Sequence, residues 1–146
     1  MFTKAKRKAG IAAGLALIAV LGGGMAASAA TAGSSISSWS VGSTGSWRKA
    51  TSNSIAQTFT FNTYCQWGNG AILPTYAQMQ LQRENGILAP ISQGNRDLNC
   101  SGSGSGNWGG QVQGVQYRYQ YNGVKVPNQT GLKNGLFSVS SVTIQY

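Results

Sequence analysis

The sequence predicts an all-β protein: an antiparallel β-sandwich, immunoglobulin-like or jelly-roll-like, with one disulfide. Three observations carry that prediction. Apolar and polar residues alternate with a period of two in several short segments, and no stretch outside the N-terminal region has an apolar period of 3.6. Gly-rich and Asn-Gly turn signals separate these segments. Cys65 and Cys100, an even pair with neither CxxC spacing nor a His partner, suit a structural bridge better than a metal site or a catalytic thiol.

Residues 1–29 carry the grammar of a secretory signal peptide. Lys4, Lys6, Arg7 and Lys8 form a basic region, an apolar run spans Ile11–Leu21, and Ala27-Ser28-Ala29 offers a cleavage site. The apolar run is too short for a membrane span, which needs roughly 18 residues. Cleavage after Ala29 leaves residues 30–146 as an exported, extracellular chain without stable membrane insertion. Its cations are Arg48, Lys49, Arg83, Arg96, Arg118, Lys125 and Lys133 against Glu84 and Asp97, scattered rather than gathered into a nucleic-acid stripe.

The elements follow in order. Residues 30–38 are small and Ser-rich, a flexible lead or an edge strand, and residues 39–146 form the sandwich domain. Ser54 to Cys65 alternates, with Ile55, Phe59, Phe61 and Cys65 on one side. Tyr76 to Arg83 alternates with Ala77, Met79 and Leu81 inward and Gln78, Gln80 and Gln82 outward. Asn85-Gly86 predicts a type I′ turn, with Ile87–Ile91 returning as the partner strand and Pro90 marking an edge or a break. Ser92–Gly110, including the Ser-Gly tract 101–106, reads as a mobile, loop-rich region. Val112 to Tyr121 resumes alternation, and Asn122-Gly123 predicts a second I′ turn from which Val124–Pro127 returns. In the last segment Phe137 and Val139 share one phase and Val142, Ile144 and Tyr146 the other, which predicts a β-bulge at Ser140-Ser141.

The residue inventory argues against an enzyme. Without His, no Ser-His-Asp or Cys-His machinery can be assembled, and two carboxylates are too few for a multi-carboxylate metal cage. Glu84 and Asp97 make a poor glycosidase pair, since Glu84 abuts a turn and Asp97 is expected to pair with Arg96. No cofactor and no metal ligand set is expected. The candidate contacts are Trp67 and Trp108, both in glycine-rich stretches, and Arg118. Capping the ends of the core is the competing role for the tryptophans, and Trp108 is the first choice if one contacts a ligand. Tyr117, Tyr119 and Tyr121 share one strand face, which the polar opposite face of Gln116, Arg118 and Gln120 marks as the inner one.

The run Asn99-Cys100-Ser101-Gly102-Ser103-Gly104-Ser105-Gly106-Asn107-Trp108 before a Tyr-rich strand, with the export signal, the single long-range cysteine pair and the closing strand Phe137–Ile144, resembles small secreted actinobacterial β-sandwich proteins. That group is largely of unassigned function, so the resemblance implies a fold and a compartment. Two functions remain. One is a secreted protein-interaction module, such as a subunit or adaptor of an exported assembly or toxin complex, its Ser-rich N-terminal segment able to add a strand to a partner's sheet. The other is a cell-wall glycan-binding module that uses the loop tryptophans.

Overall fold

The computed structural model describes residues 30–60, 64–67, 71–72 and 75–146; the side chains of residues 59, 60, 64, 67, 71 and 72 are not described. The signal segment 1–29 therefore lies outside the described residues, as do Phe61 and Asn62. Among the described residues ten strands build two antiparallel sheets: β1 Thr31–Trp39, β2 Arg48–Lys49, β3 Ser54–Thr60, β4 Tyr64–Trp67, β5 Ala71–Ile72, β6 Tyr76–Arg83, β7 Ile91–Asn99, β8 Gly104–Gly109, β9 Gln116–Lys125 and β10 Gly135–Gln145. No helix is present among the described residues.

The first sheet has six strands organised by β10. β3 and β4 lie end to end along one edge of β10, and β1 runs along the other. β5 extends β4, and β8 extends β3. The second sheet has the order β2-β9-β6-β7. Inward residues of both sheets meet in one core, with Trp108, Tyr121, Phe137, Ile55, Met79 and Leu81 among its largest members. Full burial of an aliphatic side chain of this kind stabilises by about 1.5–3 kcal/mol. Tyr121 stacks on Phe137 at 5.4 Å between ring centroids, and Trp108 meets Tyr119 at 5.2 Å.

Strand β6 has the bounds that its alternation predicts, and Ala77, Met79 and Leu81 are fully buried. The tyrosine stripe is the inner face of β9. The phase change in β10 is a bulge: Ser34 pairs with Val142 and Ile36 with Val139, so Ser140-Ser141 oppose Ser35 alone. A second bulge follows on β1, where Ser38 adopts φ 51° and its amide donates to Ser138 Oγ at 2.8 Å. The disulfide joins Cys65 to Cys100, with Cα atoms 5.6 Å apart and both residues buried. It ties β4 of the first sheet to the chain leaving β7 of the second. Closing a loop of this length contributes about 3–4 kcal/mol in the chain-entropy model.

Of the two alternatives for segment 30–38 the structure has the edge strand and not the flexible lead: β1 pairs with β10 from Thr31 to Trp39, and Ala30 and Tyr146 exchange two backbone bonds of 3.0 Å. Other expectations are corrected. Asn122-Gly123 is not a hairpin turn. β9 runs through it, and Asn122 is the extra residue between the pairs Met79–Tyr121 and Gln78–Gly123. The bulge shifts the inward phase from Tyr121 to Val124 and Val126, which explains why the alternation stops at Asn122. Val112–Val115 turns instead of extending, with the Val115 amide 3.4 Å from the Val112 carbonyl.

The 92–110 region holds two strands, β7 and β8, rather than a mobile loop. Two of its glycines serve close approach. A Cβ at Gly104 would meet the Asn99 carbonyl oxygen at 2.5 Å, and one at Gly106 would meet the Arg96 Cβ at 3.0 Å and the Trp108 ring at 3.2 Å.

Candidate interaction surface

The β6–β7 hairpin ends in a loop, Glu84–Pro90, between the paired residues Arg83 and Ile91. The Glu84 amide donates to the Gln116 carbonyl at 3.0 Å and fixes the loop base to β9. The Leu88 amide donates to the Asn85 carbonyl at 3.1 Å, closing a turn around Gly86 and Ile87. Positive φ occurs at Gly86 (59°) but not at Asn85 or Ile87, so this is not the I′ turn the Asn-Gly pair suggested. Asn85 Nδ2 donates across the loop to the Ala89 carbonyl at 3.3 Å, and Pro90 fixes its own φ before β7 begins. The expected return strand at Ile87 thus starts at Ile91.

This framework holds apolar side chains in solvent. Ile87 is 103% exposed and Leu88 67% exposed, with Ile91 exposed beside them. The sequence reading missed this tip because an apolar run after a turn spells a strand and a protruding loop alike. The discriminating signal was Pro90, which cannot donate to a ladder.

The outer face of the second sheet is rich in amides. Gln78, Gln80 and Gln82 on β6 stand beside Asn95 and Asp97 on β7 and Gln120 and Asn122 on β9. Gln82 Nε2 donates to Gln80 Oε1 at 3.0 Å and to Gln120 Oε1, while Gln82 Oε1 accepts from Arg118 Nε at 2.9 Å. Asn122 Nδ2 donates to Asn95 Oδ1 at 3.3 Å, and Gln78 Nε2 to Asp97 Oδ1 at 3.1 Å. Arg118 covers the half-buried Trp47. The sequence reading named Arg118 but passed over Trp47, whose position just before Arg48-Lys49 was its signal.

The other candidates separate. Trp108 is a core residue and not a surface contact: it is 1% exposed, and its Nε1 donates to the Gly94 carbonyl at 3.0 Å. The reason is that β8 is a strand, and Trp108, paired with Ile55, takes its inward phase. Trp67 pairs through its backbone with Gly135 and Ala71, while its side chain lies outside the described residues. Arg96 does not pair with Asp97. Neighbours on a strand face opposite ways, so Arg96 lies over Trp108 at 5.8 Å and donates to the Asn107 carbonyl at 2.8 Å. Asp97 pairs with Lys125 instead, which raises the Lys125 pKa through the hydrogen bond and then the charge. Burial pushes the phenols of Tyr119 and Tyr121 well above the ordinary tyrosine range.

No family model and no curated protein matches the chain. Among the described residues no helix is long and apolar enough to cross a membrane.

Proposed function

We propose that the protein is a secreted, non-enzymatic protein-interaction module, a subunit or adaptor of an exported assembly or toxin complex, that docks through the tip of the β6–β7 hairpin. The observation that carries this reading is Ile87, 103% exposed on a loop cross-braced by its own hydrogen bonds. A pre-ordered apolar knob loses little freedom on binding and suits an apolar pocket on a protein partner. Export is supported by the signal grammar of residues 1–29 and by a disulfide suited to an oxidising compartment. With β1 held by β10, docking falls to the hairpin tip rather than to a donated N-terminal strand.

The test compares tagged wild type with the double variant Ile87→Asp, Leu88→Asp in capture from the native culture supernatant. Both sites are exposed, so folding is expected to be unchanged. The wild type should retain a stoichiometric protein partner and the variant at least tenfold less. Equal retention would overturn the tip as the docking element.

A second reading, binding of a neutral glycan, is favoured by one specific arrangement: the Arg118–Trp47 stack beside the row of surface amides. Material held on insoluble wall polysaccharide by wild type and tip variant alike, but not by Trp47→Ala, would move the assignment there.

A further inference from the structure

The core is incomplete at the end where β1 hands over to β2. A cavity of about 210 Å³ lies between the sheets, with Ile36, Ile55, Leu81 and Val142 among its walls. It reaches the surface beside the exposed Ser34, Ser35 and Ser46. Arg48 also lines it and lies over the Tyr146 ring at 5.4 Å.

Two deeply buried polar side chains line this space from opposite sheets: Gln57 on β3 and Tyr119 on β9. Gln57 is 1% exposed and Tyr119 5% exposed, yet Gln57 Oε1 and the Tyr119 hydroxyl have no hydrogen-bond partner in the protein. The other buried tyrosines of β9 are satisfied. Tyr117 OH accepts from the Val112 amide at 3.0 Å, and Tyr121 OH donates to the Gly135 carbonyl at 3.1 Å. A buried polar group without a partner is costly, so a matched pair facing one cavity is a specification for what enters it.

The amide oxygen needs a donor, and the phenol, held neutral by burial, can give a proton to an acceptor. A single hydroxyl group does both. Ile36, Ile55, Leu81 and Val142 supply hydrocarbon wall beside these two side chains, and the volume somewhat exceeds the roughly 150 Å³ that accommodates benzene in an apolar cavity. We propose that this cavity binds a small hydrophobic alcohol or phenol, its body among Ile36, Ile55, Leu81 and Val142 and its hydroxyl between Gln57 and Tyr119. This site is separate from the hairpin tip and stands or falls without it.

The test is an NMR titration of the full secreted protein with p-cresol and with toluene, which share a ring and a methyl group and differ by the hydroxyl. The p-cresol should shift the Gln57 side-chain amide and the Tyr119 ring signals and bind about tenfold tighter than toluene. Gln57→Met and Tyr119→Phe should each bring the two ligands to within about threefold of one another. Tyr119→Phe removes an unpartnered hydroxyl and keeps the ring, so it remains folded and keeps the test decisive. Equal affinity for the two ligands in the wild type, a preference unchanged in both variants, or no shift at Gln57 and Tyr119 would overturn the proposal. So would a crystal structure from p-cresol-soaked crystals with only water between these two side chains.

Discussion

The guanidinium carbon of Arg118 lies 4.5 Å from the centre of the Trp47 ring. The same guanidinium holds the buried amide of Gln82 through its Nε, so one side chain joins the 41–47 segment to the centre of the second sheet. Replacing Arg118 by Ala removes both contacts and should cost about 1–2 kcal/mol, read from the urea midpoint. Arg118→Lys should recover less than half of the loss, because an ammonium cannot both stack flat and donate in the guanidinium plane.

Gly135 sets how closely β10 approaches its neighbours. A Cβ there would meet the Gln66 carbonyl oxygen and Val124 Cγ2, each at 2.5 Å, whereas one at Gly33 meets nothing within 4 Å. Gly135→Ala should destabilise by about 1–3 kcal/mol and Gly33→Ala by much less, measured on the same denaturation curve.

Opening the Cys65–Cys100 bridge should lower the unfolding free energy by about 3–4 kcal/mol. The comparison is urea unfolding of the oxidised protein against the Cys65→Ala, Cys100→Ala variant. Equal midpoints would show that the bridge leaves the unfolded ensemble unconstrained.

Alkaline pH should reveal the two buried phenols. Burial raises the folded-state pKa of Tyr119 and Tyr121 above the ordinary tyrosine value of 10.0. Their contribution to stability is fully present below pH 10 and is lost as pH rises above it, because only the unfolded chain releases those protons. Lys125, raised by Asp97, acts in the same direction from the ordinary lysine value of 10.5 upward. Tyrosinate absorbance should therefore show Tyr119 and Tyr121 ionising only as the protein unfolds, and Tyr119→Phe and Tyr121→Phe should each reduce that step. Ionisation of these two phenols in the folded state would contradict the burial of their rings.

Local pattern made much of this fold legible and concealed the rest for identifiable reasons. The bulge at Ser140-Ser141 and the bounds of β6 follow from the phase of apolar residues, because one buried face enforces register. Asn122-Gly123 misled because a bulge and a turn ask for the same permissive backbone, and only the pairing of β9 with β6 tells them apart. The Ser-Gly tract misled because glycine signals flexibility by composition, while here it admits Asn99 and Arg96 to within contact of β8. Trp108 takes the core role that the sequence reading weighed against ligand contact, because β8 is a strand. Gln57 sits in the inward phase between Ile55 and Phe59, so the sequence did hold its anomaly. The cavity it faces exists only once β3 and β9 are brought together.

The position of β10 constrains how the molecule comes into being. β1, β3 and β4 all hydrogen-bond to residues 135–145, and among the described residues they share no ladder with one another. A chain emerging N-terminus first can pair β3 with β8 and β4 with β5, but it cannot complete the first sheet before residues 135–145 appear. Closure waits for the tenth strand, and the contacts it then makes span about a hundred residues, the kind of distant pairing that folds slowly. The second sheet, which lacks β10, is free to form first and to serve as the surface on which the first one closes.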